Sequence, residues 1–175
     1  MLVVADPRSL PPADRAVAIG KFDGLHRGHC SVLRTLMETG LRTTVITFDP
    51  HPSTVLGRPV ELICSVEQRL AMLERAGVHE AVVIEFTLGY ARLSPQDWID
   101  LTLTPIGART VCVGADFRFG HRRAGDVALL EACGFEVRIA PRIDGASSTT
   151  IRGLLREGRT GEAERLMLPR MWAAA

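Results

Sequence analysis

Short apolar runs recur along the chain at 16–20, 43–48, 81–86, 110–114 and 135–140. Most are rich in Val and Ile and almost continuously apolar, as strands buried on both faces read. The last, FEVRIA, alternates apolar and polar positions and suits an edge strand. Longer segments with helix signals lie between the runs. Ser65-Val66-Glu67-Gln68 reads as a capping box before RLAMLERAG, and Gly77 ends that helix. Ser94 and Pro95 supply an N-cap and a first-turn proline for QDWIDLTL. Asp126, after Gly125, opens VALLEACG; Ser147 or Ser148 caps TTIRGLLREG; Thr160 caps a last short helix over 161–167. The alternation of strand and helix predicts an α/β fold, a parallel sheet with helices on both faces. The proline-rich start (Pro7, Pro11, Pro12) reads as a surface lead-in, and the tail PRMWAAA as a loose or docking segment.

Composition sets limits on this picture. The 175 residues fit one domain, with no internal repeat or linker to divide it. A 46% hydrophobic and 23% charged chain is ordinary for a soluble globule. No apolar run approaches the roughly 18 residues of a membrane span, and the N-terminus lacks a basic region and a long apolar core, so a cytoplasmic protein is expected. A net charge of +1 provides no field for nucleic acid. Cys30, Cys64, Cys112 and Cys133 form no CxxC pair and read as reduced, mostly core thiols. Of the 21 basic residues 20 are Arg, and the sole lysine is Lys21.

The polar clusters fall where such sheets bind ligands, outside the carboxyl ends of the strands. GKFDGLHRGH follows the first run, TFDPHPSTVLGRP ends the second, GADFRFGHRRAG follows the fourth and GASSTTIR follows the fifth. His26 and His29 stand where a helix begins, at its free N–H groups and positive dipole end. That potential disfavours charged imidazoles, and an incoming polyphosphate would reverse the balance, so the pair suits hydrogen bonding to phosphate. Two histidines one turn apart can also share a zinc, with Asp23 or His51 as the nearest third ligand. GxxxxGK[ST] and GxGxxG are both absent. GASSTTIR offers a second anion site through Ser147, Ser148, Thr149 and, one turn on, Arg152.

GKFDGLHRGH and SSTTIR together resemble the HxGH and SSTxxR signatures of the nucleotidyltransferase superfamily. FDG, TFDPHP and GADFRFG make the resemblance more specific: it is to the FMN adenylyltransferase (FAD synthetase) module of the bacterial bifunctional riboflavin kinase/FAD synthetase. The resemblance covers residues 16 to about 167. It implies a Rossmann-like, doubly wound parallel sheet of five strands in the order 3-2-1-4-5. It implies further that an acceptor phosphate attacks the α-phosphorus of ATP and displaces pyrophosphate. Mg²⁺ accompanies the ATP, and no covalent enzyme intermediate forms. By position, His26, His29 and Arg152 become the expected catalytic residues. Gly20, Lys21, Phe22, Asp23, Gly24, Gly28, Ser147, Ser148 and Thr149 become the nucleotide site. Phe48, His51, Pro52, Asp116 and Phe119 become the acceptor site. The familiar bifunctional proteins continue into a β-barrel riboflavin kinase. This chain stops about where that module begins, so a single adenylyltransferase domain using FMN made elsewhere is expected. The link from Gly120 to Ser147 is short for the family, which leaves room for another phosphorylated or phosphonate acceptor, or for CTP.

Overall fold

The computed structural model describes residues 1–167. Its strands are β1 (Leu2–Val4), β2 (Arg15–Ile19), β3 (Arg42–Asp49), β4 (Glu80–Glu85), β5 (Ala108–Gly114) and β6 (Glu136–Ala140). They form one sheet in the order β1-β4-β3-β2-β5-β6, and every pairing is parallel. All five apolar runs are strands, and their relative order is the expected 3-2-1-4-5. The sheet nevertheless has six strands rather than five. β1 belongs to the segment read as a surface lead-in. Its three residues are partly exposed and show no strand pattern; pairing with the free edge of β4, from Leu2 opposite Glu80 onward, makes them a strand.

The helices are α1 (Arg27–Met37), α2 (Pro52–Val55), α3 (Val66–Arg75), α4 (Leu88–Ala91), α5 (Pro95–Thr102), α6 (Val127–Ala132), α7 (Ser148–Arg156) and α8 (Thr160–Leu166). The Ser65 capping box is complete, and Ser94, Asp126 and Ser147 cap their helices as the sequence indicates. Thr160 is instead the first residue of α8; the cap position is Arg159, which makes no side-chain capping bond. The segment PRMWAAA lies outside the described residues.

Alternate residues of β2 face opposite cores. Val17 and Ile19 pack with Trp98, Ile99 and Leu103 of the α5 region and with Leu130 of α6. Ala16 and Ala18 pack with Phe22, Leu25 and the α1 residues Leu33 and Leu36. Small residues on that side let α1 lie close to the sheet. The cysteines are all free, with Cys30, Cys64 and Cys112 buried; Cys133 is exposed, contrary to a core reading. Among the described residues no helix is long and apolar enough to cross a membrane.

The amino ends of the strands are locked by charge. Glu80 is fully buried and takes Arg15 at 2.6 Å, Arg42 at 2.5 Å and the Thr44 hydroxyl at 2.8 Å. Arg15 also donates to the carbonyls of Ile106 and Pro11. The opposite, carboxyl end of the sheet is left to the polar loops.

Candidate active site

The turn after β2 is compact for a steric reason. Phe22 is buried at φ 49°, and its ring occupies the space beside Gly20: a Cβ there would meet it at 3.1 Å. Gly24, at φ 64°, lies under Ile63, which a Cβ would meet at 2.4 Å. Any larger residue at 24 would combine a left-handed backbone with a clash.

α1 then begins on the two histidines. His26 is the N-cap, and its Nδ1 accepts from the N–H groups of Gly28 and His29 at 3.1 and 3.3 Å. The His26 and His29 rings stack at 3.7 Å, and Phe22 flanks His29 at 5.0 Å. The imidazoles are held neutral, as the sequence suggested, but burial is the leading cause. It pushes His26 down to about 4. His29 is pushed well below its ordinary value by burial, then by His26, Lys21 and Arg69. Two of the helix N–H groups thus serve His26 itself. The stacked arrangement also removes the zinc reading: His26 Nδ1 is occupied, and parallel rings do not converge their in-plane lone pairs on one ion. His29 keeps a buried Nδ1 with no protein partner among the described residues.

Asp23, expected in the nucleotide site, has its carboxylate held by the protein itself. Its carboxylate is buried and fully engaged. Oδ1 accepts from the N–H groups of Ile63 and Cys64, and Oδ2 pairs with Arg152 at 2.5 Å. Arg152 also donates to the Glu61 carbonyl at 2.8 Å, and Ser148 Oγ donates to the Asp23 carbonyl at 2.9 Å. Asp23 therefore staples the start of α7 and the 61–64 loop to the turn after β2. Ser147 caps α7, while Thr149 is exposed in its first turn. A Cβ on Gly28 would lie 3.4 Å from the Ala146 carbonyl, so the starts of α1 and α7 adjoin.

His51, assigned by the sequence to the acceptor site, precedes Pro52 and Ser53 of the cavity wall without being one of its lining residues. It is buried, caps α2 through Nδ1 and leaves Nε2 without a partner among the described residues. Burial, then the charge of Lys21, push it down to about 4, with Asp23 opposing and Arg152 and Arg69 assisting. It thus belongs with the turn after β2.

Beside that turn opens a cavity of about 740 Å³. Phe48, Pro52, Asp116 and Phe119, which the sequence reading grouped together, all line it, as do Gly20 and Lys21 of the turn after β2. Phe117, in the DFRFG segment, also lines it, whereas sequence reasoning did not assign Phe86, Tyr90 or Trp98 to it. Phe48 meets Phe86 edge-on at 5.5 Å, Phe86 meets Tyr90 at 5.6 Å, and Trp98 meets Phe119 at 4.8 Å. Phe86 ends its strand run much as Phe48 does, a signal that could have placed it. Arg58, Arg92, Arg118, Arg122 and Arg123 complete the rim. Desolvation, then Arg152, hold the Lys21 ammonium below its ordinary range, against the pull of Asp23.

Residues 10–151 match the family model described as FAD synthetase. The chain belongs to the FAD synthetase family. It is 34% identical over 168 residues to a bifunctional riboflavin kinase/FMN adenylyltransferase of Listeria monocytogenes, covering 88% of this chain and 54% of that protein. It is 39% identical to a putative bifunctional riboflavin kinase/FMN adenylyltransferase of Geobacillus thermodenitrificans, covering 81% of this chain and 83% of the relative. The chain thus spans about half the length of the Listeria protein. Among solved structures, one described as a macrolide-efflux protein from Streptococcus pneumoniae superposes with a TM-score of 0.86 at 27% identity, over 95% of this chain and 70% of that one. Weaker likeness, at a TM-score of 0.51 and 18% identity, extends to a putative nicotinate-nucleotide adenylyltransferase from Vibrio parahaemolyticus, and concerns the fold alone.

Proposed function

We propose that this FAD synthetase family member, as one domain over residues 1–175, transfers AMP from Mg·ATP to the phosphate of FMN, releasing pyrophosphate. The observation that carries the reading is the shared border. The same residues, Gly20 and Lys21, wall the aromatic cavity and lead into the histidine-capped helix. A planar aromatic acceptor seated among Phe48, Phe86, Tyr90 and Phe119 would present its phosphate to that turn. Relatives named for FMN adenylyltransferase activity support the same substrate pair.

In this reading the chain contributes positioning and electrostatics rather than covalent chemistry. His29, neutral at the head of α1, stabilises charge on the transferred phosphoryl group. The exposed Lys21 ammonium is a further group available to the phosphates. Arg152, held on Asp23 and the Glu61 carbonyl, is aimed from α7, and the exposed Thr149 stands beside it at the fresh helix N–H groups. Mg²⁺ enters as part of the Mg·ATP substrate, bound through phosphate oxygens and water, the usual mode for this ion. Mass spectrometry of FMN incubated with Mg·ATP tests the reading, with FAD and pyrophosphate expected. Absence of product with FMN, together with turnover of another phosphorylated acceptor or of CTP, would overturn it.

A further inference from the structure

Arg69 lies outside every motif that points to the active site. It projects from α3, whose Leu73 shares a core with Phe22 and Leu25. Only 1% of its surface is exposed. Nη1 donates to the Thr47 hydroxyl at 2.9 Å and to the Phe48 carbonyl at 3.0 Å. The Thr47 hydroxyl in turn donates to the carbonyl of Lys21 at 3.1 Å. The Arg69 Nε is buried and unpartnered, and no carboxylate among the described residues lies within 4.0 Å of the guanidinium. A buried charge without a counter-ion costs several kcal/mol. An apolar side chain would anchor α3 without that cost, so packing alone does not account for an arginine here.

The carbonyls governed by Arg69 explain its place better. Those of Lys21 and Phe48 lie at the carboxyl ends of neighbouring strands, and both residues border the aromatic cavity. The Lys21 carbonyl belongs to the peptide that enters Phe22. Phe22 sits at φ 49°, a left-handed conformation that is strained for an L-residue and needs an outside hold. The ring of Phe22 then supports His29. A continuous path runs from the guanidinium through Thr47 to the Lys21 carbonyl and, by way of Phe22, to the His29 ring.

We propose that Arg69 is a positioning residue for nucleotide binding, acting through Thr47 to fix the Lys21–Phe22 turn and with it the Lys21 ammonium and the His29 ring. The identity of the nucleotide rests on the adenylyl-transfer reading above.

The test is Mg·ATP binding by calorimetry, without acceptor, on Arg69→Gln, Thr47→Val, Thr47→Ser and the Arg69→Gln/Thr47→Val double variant, each with its melting temperature. Loss of one such hydrogen-bonded link is expected to weaken Mg·ATP binding about ten-fold in Arg69→Gln and in Thr47→Val. The double variant should lose no more than the weaker single one, since both act on one path. Thr47→Ser, which restores the hydroxyl, should bind as the wild type does. Wild-type affinity in a folded Arg69→Gln, or losses that multiply in the double variant, would overturn the proposal. If Arg69→Gln fails to fold, the Thr47 pair decides: unchanged affinity in Thr47→Val, or no recovery in Thr47→Ser, refutes the path. Failure of the wild-type chain to bind Mg·ATP would sink the adenylyl-transfer reading itself, and the positioning claim with it.

Discussion

His26 and His29 divide two tasks between similar rings. His26 uses Nδ1 to close the first turn of α1, whereas His29 keeps Nδ1 free. Replacing His29 by alanine is therefore expected to lower turnover on the order of 100-fold to 1,000-fold with little change in Mg·ATP affinity, as loss of one transition-state donor does. Arg152→Ala should show the opposite balance, weakening nucleotide binding more than the chemical step. It should also lower the melting temperature, because Arg152 anchors Asp23 and the Glu61 carbonyl. Rate and affinity measured on both variants check this; one shared balance would refute the division. The histidine pair was legible in the sequence because its geometry is local, three residues at the head of one helix. The surroundings of Asp23 and His51 were not legible because they come from afar. Asp23 is claimed by Ile63, Cys64 and Arg152, and His51 by charges on three other segments. No spacing within one motif encodes those meetings.

At the scale of elements, the loop after β5 folds back on itself. Phe119 and Gly125 exchange backbone hydrogen bonds of 2.9 and 3.1 Å, and the Phe119 ring covers Gly125 so closely that a Cβ would meet it at 2.7 Å. Between them Gly120, Arg122 and Arg123 all have positive φ. Gly125→Ala should drive the Phe119 ring into the cavity. The expected result is a raised KM for FMN with the KM for ATP nearly unchanged, read from steady-state kinetics with each substrate varied in turn. Equal effects on both would place Phe119 outside the acceptor site. The long elements were legible because apolar runs and side-chain caps are written in consecutive residues. The one-turn helices α2 and α4 carry too few residues for a period to show, and β1 exists through its partner β4 rather than through its own three residues.

The whole molecule separates stability from chemistry along the strand axis. The amino ends of the strands hold the buried Glu80 lock, and the carboxyl ends hold the orphaned polar atoms and the cavity. Burial raises the Glu80 pKa, but the bonds from Arg15, Arg42 and Thr44 prevail and bring it from an ordinary 4.5 down to about 2. A depressed carboxylate stabilises the fold above its unfolded pKa, and that contribution fades as pH falls from about 4.5 toward 2. His26 and His51 act one step earlier. Their folded pKa values near 4 lie below the ordinary 6.5, so the unfolded chain takes up their protons first, and stability is lost as pH falls from 6.5 toward 4. Urea unfolding against pH should show both windows. Glu80→Gln should remove the lower one and, by leaving Arg15 buried without a counter-ion, cost roughly 3–5 kcal/mol at neutral pH. Persistence of the lower window in that variant would mean that another carboxylate causes it.

Label transfer tests the central claim most directly. FMN is incubated with Mg²⁺ and ATP labelled either at the α- or at the γ-phosphorus, and the flavin product is separated and counted. Attack at the α-phosphorus beside the histidine turn predicts one α-label per FAD formed, with the γ-label leaving entirely as pyrophosphate. A flavin product free of α-label, transfer of the γ-label to the acceptor, or no flavin product at all would contradict it.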